Sequence, residues 1–381
     1  MSSSENTLHQ LLDQGQSPWI DNITRDMLQN GDLQRRIDQG IVGLTSNPTI
    51  FQKAIGGSSL YDDELRQLVR QDKSVNEIYD ALVLDDIRNA AKTFRPVYDK
   101  TNGRDGYVSI EVAPHLAYDT DKSLAEARRL FKYLNTPNIM IKIPGTDEGI
   151  PAFQQAIADG ININVTLVFS IENYRKVAQA YVTALQQRAD AGQPIDRISS
   201  VASFFVSRVD TMVDKKLDDL MNNAGDEQRK KQIGDLRGKA AIANAKMAYE
   251  AFSEIFSGSK WEALAAKGAK PQRCLWASTS TKNPDYRDVL YVEELIGPET
   301  VDTMPPATID AFLDHGKVNR TLNQNVAQAH AELDALENAG ISMEQVTHQL
   351  QEDGVKLFAQ SFDDLIKSIE EKRQQMMAQV G

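Results

Sequence analysis

Lys142 occupies the most unusual setting in the chain. It stands in N-I-M-I-K-I-P-G (138–145), a mostly apolar run closed by a proline and a glycine. A short apolar run bounded by turn residues reads as a fully buried strand of a parallel sheet. An ammonium among aliphatic side chains loses its hydration. Such a lysine either pairs with a carboxylate or is pushed toward the neutral amine, which is a nucleophile.

A desolvated amine near two carboxylates is equipped for Schiff-base chemistry. The amine attacks a ketone, and loss of water gives an iminium that acts as an electron sink. Carbon–carbon cleavage then leaves an enamine that can attack an aldehyde. Each step moves a proton, so acid/base groups must stand close by. Glu111 can serve through a water held by Thr166, and Asp21 can take the proton from the hydroxyl beside the breaking bond. Raising one carboxyl while the other stays ionised divides such roles. Asn47, Asn164 and Ser203 can hold the hydroxyls of a polyol, and Arg208 and Lys282 can bind a phosphate.

Each residue also has a plainer use. Asp21 can cap a helix beginning near Thr24. T-S-N-P (45–48) can be only a turn. Glu111 and Lys142 can form a buried salt bridge without catalytic duty. Asn164 and Thr166 can simply satisfy backbone groups, and Arg208 and Lys282 can be solvated charges. The five histidines, His9, His115, His315, His330 and His348, show no metal spacing, although His115 follows a strand and can line a mouth. No Gly-rich phosphate loop, Cys-x-x-Cys or His-Glu-x-x-His pattern is present. The chemistry is therefore expected to rest on amine, carboxylates and water, with no metal and no cofactor.

The elements that must position these groups are short β-like runs alternating with longer amphipathic ones. The β-like runs are 19–23, 41–47, 107–112, 138–144, 162–169, 199–206, 273–279 and 300–305, with helical patterns such as 121–134, 171–191 and 209–256 between them. Such alternation implies parallel βα units, and eight of them predict an α/β fold, a closed (β/α)8 TIM barrel with extra helices. One domain over 1–381 is expected, with a helical insert at 58–100 and C-terminal helices at 317–381 packed outside the barrel or over one mouth. In a barrel, alternate strand residues face inward and function gathers at the C-terminal ends of the strands. The late inward positions predicted here are Asp21; Thr45 and Asn47; Ser109 and Glu111; Met140 and Lys142; Asn162, Asn164 and Thr166; Ser203 and Phe205; Trp276 and Ser278. Polar groups converging on one mouth point to an active site, with Thr45, Asn47, Asn164, Ser203, Phe205 and Ser278 against the substrate.

A formal charge of −12 argues against a general nucleic-acid or anionic-membrane surface, so an anionic substrate needs local basic residues. The single cysteine, Cys274, excludes an intramolecular disulfide and fits a reducing compartment. The polar start M-S-S-S-E-N-T-L-H-Q lacks an apolar core, so no signal peptide is expected. No run approaches the length of a membrane span. A cytoplasmic protein is expected; the oligomeric state is not readable.

Four stretches together resemble the transaldolase family: G-L-T-S-N-P-T-I (43–50), I-K-I-P (141–144), N-V-T-L-V-F (164–169) and S-F-F-V-S-R (203–208). The similarity runs from about residue 16 to past residue 308, in order and spacing. It implies a barrel aldolase of class I with Lys142 as the Schiff-base lysine, Asp21 and Glu111 as acid/base groups and Thr166 holding the catalytic water. It implies phosphorylated sugars as substrates: dihydroxyacetone moves from sedoheptulose 7-phosphate to glyceraldehyde 3-phosphate, giving fructose 6-phosphate and erythrose 4-phosphate, in the non-oxidative branch of the pentose phosphate pathway. Family members often show A-S-F-R-N after the seventh strand, whereas this chain has A-S-T-S-T-K-N (277–283), so Lys282 replaces the arginine. Phe205 falls where related sugar-phosphate aldolases have a tyrosine, which favours transfer over cleavage. The competing expectations are a fructose 6-phosphate aldolase-like lyase and a non-catalytic sugar-phosphate-binding barrel.

Overall fold

In a computed structural model of the chain, which describes residues 6–380, eight parallel strands close into a barrel in sequence order. They are β1 (Gln16–Asp21), β2 (Leu44–Thr45), β3 (Val108–Glu111), β4 (Ile139–Pro144), β5 (Ile163–Val168), β6 (Ser200–Phe205), β7 (Arg273–Ala277) and β8 (Thr300–Met304). Helices fill the crossovers, as the (β/α)8 pattern predicts. The first half of the N-terminal run read as lacking a leader, residues 1–5, lies outside the described residues.

Two strands differ from expectation. β1 begins at Gln16 because its polar residues are satisfied at long range: Gln16 Nε2 donates to Leu295 O at 2.7 Å, and Ser17 Oγ donates to Asp105 at 2.9 Å. β2 is two residues long instead of seven, although Val42 N still donates to Pro18 O across the gap at 2.9 Å. Its entry is shaped by Gly43, where a Cβ would lie 2.4 Å from the buried indole of Trp19. The N-terminal end of the barrel is closed by a buried ion pair, Arg273 to Asp105 at 3.0 Å, with Trp19 Nε1 donating to Asp105 at 3.2 Å.

The predicted stretch 209–256 divides into Ser207–Asn222, Glu227–Gly234 and Ala240–Ile255. The 58–100 stretch holds Asp62–Arg70 and Val75–Lys100, the second opened by a Ser74/Glu77 capping box and serving as the crossover from β2 to β3. Beyond β8, a 38-residue helix, Met343–Val380, packs against Pro48–Gly56 and Val75–Lys100. Gln351 Nε2 fastens it to the strand ends, donating to Gly145 O and Leu167 O, each at 3.0 Å. Among the described residues no helix is long and apolar enough to cross a membrane.

Candidate active site

Register brings the chemistry together. Glu111 pairs with Lys142 across β3 and β4, and Lys142 with Asn164 across β4 and β5. Lys142 Nζ donates to Ser46 O at 2.9 Å and lies 3.3 Å from Glu111 Oε2, with both side chains buried. Among the described residues neither Glu111 oxygen has a hydrogen-bond partner, and burial pushes its carboxyl above the ordinary range against the pull of Lys142. Burial likewise raises Asp21, opposed by Lys142 and by the Thr45 hydroxyl, which donates to Asp21 at 2.7 Å. Asp21 caps nothing. Thr24 itself accepts from Met27 N at the start of the Arg25–Gln29 helix.

Ten of the twelve side chains singled out by sequence line one cavity of about 520 Å³ at the C-terminal mouth. Asn164 and Glu111 do not line it. Asn164 lies beneath the floor, donating to Ser109 Oγ at 3.2 Å and accepting from Ser203 Oγ at 2.7 Å, because its short side chain stays low beside the longer Lys142. Instead of touching substrate it holds Ser203. Glu111 lies behind Lys142, on a small second cavity shared with Tyr79 and Phe362.

Thr166 reaches the main cavity with a buried hydroxyl that has no hydrogen-bond partner among the described residues. Asn47 begins a helix and does more than turn the chain: its Oδ1 accepts from Ile50 N at 3.0 Å, with Pro48 in the first turn of Pro48–Gly56. Asn162 is structural, donating to Pro137 O at 2.9 Å and accepting from Ser199 N at 3.0 Å.

On β7 the expected inward parity is overturned for Trp276. Its Nε1 donates to Leu295 O at 3.1 Å and its ring meets Phe204 edge-on, so the indole faces the helices. Ala277 lines the cavity instead. Ser278 reaches it too because its left-handed backbone (φ 57°) ends the strand alternation.

Arg208 stacks 5.1 Å from the Phe205 ring centroid and 5.9 Å from that of Phe358. Burial lowers its guanidinium, and it lowers Lys282 as well, where the charges of Arg208 and Lys53 add to the effect. Sequence reasoning missed Lys53, Thr303, Leu357 and Phe358, all of which line the cavity. Thr303 was within reach, since its place on β8 follows the strand alternation, and its hydroxyl sits 2.6 Å from that of Thr45. The other three sit on helices whose patterns look like ordinary amphipathic ones. His115 lies outside the cavity, 2.7 Å from Asp363 of the C-terminal helix. Among the described residues no three His, Cys, Asp or Glu side chains are grouped to hold a metal.

The arrangement can therefore hold an amine against a carbonyl, exchange protons with two carboxylates and bind an anion at the rim. Residues 18–369 match the family model described as transaldolase/fructose-6-phosphate aldolase. A protein of Trichodesmium erythraeum (strain IMS101) named transaldolase is 48% identical over 370 residues, spanning 96% of this chain and 97% of its own. One of Nostoc sp. (strain PCC 7120) named transaldolase 2 is 46% identical over 371 residues, spanning 96% and 97%. A transaldolase of Thermobifida fusca (strain YX) is 48% identical over 364 residues, spanning 95% and 97%.

Proposed function

Because this chain belongs to the transaldolase/fructose-6-phosphate aldolase family, we propose that it is a transaldolase, a transferase acting on phosphorylated sugars. It moves dihydroxyacetone from sedoheptulose 7-phosphate to glyceraldehyde 3-phosphate, giving erythrose 4-phosphate and fructose 6-phosphate in the non-oxidative pentose phosphate branch. The observation that carries this is Lys142, whose buried amine lies 3.3 Å from Glu111 and still lines the mouth cavity. The single cysteine, buried Cys274, supports a cytoplasmic setting.

Glu111 takes the proton that the Lys142 ammonium must lose before it attacks the donor ketone. It returns that proton, through a water held on Thr166, to the hydroxyl leaving the carbinolamine. With the iminium formed, Asp21 removes the proton of the hydroxyl beside the breaking bond. The carbon–carbon electron pair flows into the iminium and leaves an enamine while the aldose departs. The acceptor aldehyde adds by the reverse steps, and water releases the new ketose. Asn47 and Ser203 hold sugar hydroxyls, Thr45 holds Asp21, and Phe205 and Ser278 bound the sugar. Arg208 and Lys282 hold the phosphate.

Borohydride added with fructose 6-phosphate should leave a dihydroxyacetone-derived mass adduct on the Lys142 peptide. Lys142→Ala should fold and take no adduct. An adduct elsewhere, or none on the wild type, removes the Schiff-base account. Dihydroxyacetone should stay bound until an aldehyde acceptor is supplied; free release without acceptor would make the protein a lyase.

A further inference from the structure

The last turn of the Pro48–Gly56 helix places Lys53 on the mouth cavity, and no step above uses it. Thr49, Ile50 and Ala54 line the cavity from the same helix, so one face of it forms a wall. The wall is anchored: Thr49 Oγ1 lies 2.8 Å from Ser361 Oγ of the C-terminal helix, and Lys372 Nζ binds Ser58 O at 2.6 Å just beyond it.

Three cations share this rim, and among the described residues none of Lys53, Arg208 and Lys282 has a carboxylate at salt-bridge distance. The chain as a whole carries 54 acidic residues against 42 basic ones, so this rim is opposite in sign to the rest of the molecule. Some helix lysines do meet a carboxylate, as Lys176 does Glu172 at 3.0 Å. Among the described residues Asp21 is the one carboxylate lining the cavity, and it is held by Thr45. Like charges gathered without a counter-ion repel, and a bound dianion relieves that repulsion. Lys282 presents a point charge rather than the bidentate fork of an arginine, which leaves room for a second point charge on the same phosphate.

We propose that Lys53 is the third cation of the phosphate subsite, acting with Arg208 and Lys282 to favour sugars ending in a phosphate dianion over their unphosphorylated counterparts. This rests on the cavity being the sugar site proposed above. Lys53 is solvent-exposed, so screening limits its share to about tenfold in affinity.

The test uses the full-length chain and its Lys53→Met, Lys53→Arg and Arg208→Met variants, with D-glyceraldehyde as a phosphate-free acceptor. Lys53→Met should raise KM for fructose 6-phosphate about tenfold and lower the preference for fructose 6-phosphate over fructose by the same factor, with kcat held within about twofold. The inhibition constant of inorganic phosphate should rise in parallel, and Lys53→Arg should restore most of both. Equal losses with fructose and fructose 6-phosphate would assign Lys53 a merely structural role and overturn the proposal. An unchanged KM in Lys53→Met beside a raised one in Arg208→Met would overturn it while leaving the phosphate subsite intact. Unchanged values in both variants would mean that this rim does not bind phosphate at all.

Discussion

The two carboxylates near Lys142 hold different posts, and their chemistry should separate accordingly. Glu111 stands behind the amine, outside the main cavity, where it meets the Lys142 proton but not the far end of a sugar. Asp21 faces the cavity with a hydroxyl donor on its carboxylate. Asp21→Asn should therefore still be trapped by borohydride on Lys142, now chiefly with the mass of uncleaved fructose 6-phosphate, while turnover falls about 10²- to 10⁴-fold. Glu111→Gln should slow formation of the adduct itself, followed by quenching at short times. Equal trapping rates for Glu111→Gln and wild type would take Glu111 out of the mechanism. The direction of the Asp21 shift adds a pH signature. As the base for bond cleavage Asp21 must be ionised, and burial raises its carboxyl above the ordinary 3.8. Donor cleavage should thus fall off on the acid side at a pH above that value, and the limb should vanish from the residual activity of Asp21→Asn. Wild-type cleavage that stays level down to pH 4 would assign the base elsewhere.

At the scale of elements, the barrel depends on small residues where strands meet large rings. Gly43 precedes β2 and lies against Trp19, whose indole is fixed by its hydrogen bond to Asp105. Because the ring cannot swing away, Gly43→Ala should destabilise the protein by about 2–3 kcal/mol in urea unfolding; a loss under about 0.5 kcal/mol would show the ring to be mobile. Much of this frame was legible in the sequence, because buried parallel strands are apolar runs and a chemical residue within one stands out, as Lys142 and Glu111 do. Less legible were features set by distant partners. Gln16 and Ser17 lie ahead of the run read as the first strand, and they join it because Leu295 and Asp105 satisfy them. Trp276 follows the alternation expected of an inward residue only if the left-handed turn at Ser278 is ignored. Asn164 was assigned the right strand face, but its depth depends on the length of the neighbouring Lys142 side chain. Phe358 and Lys53 carry no local signal, since their meeting over the mouth depends on how two remote helices dock.

The stability of the whole molecule should fall as pH rises through neutrality, for reasons outside the active site. Asp302 on β8 is fully buried; it accepts from Thr279 Oγ1 at 2.8 Å, and its other oxygen has no hydrogen-bond partner among the described residues. Burial pushes its carboxyl up to about 7, and Asp210, held by Ala241 N and Tyr291 OH, is also raised to about 7. A native value above the unfolded one means that the folded state binds the proton more tightly. The resulting stability is complete below about pH 4 and is lost as pH climbs through about 7. Asp302 alone accounts for at most about 4 kcal/mol between those limits. The net charge of −12 adds self-repulsion in the same direction, but salt screens that term while leaving a buried ionisation nearly untouched. Asp302→Asn keeps an acceptor for Thr279 and removes the titration. In 0.3 M salt its unfolding free energy should therefore change less between pH 5.5 and 8 than that of the wild type, the gap between the two proteins growing with pH. Parallel curves for the two would show that Asp302 keeps one protonation state across this range and would leave Asp210 to account for the slope.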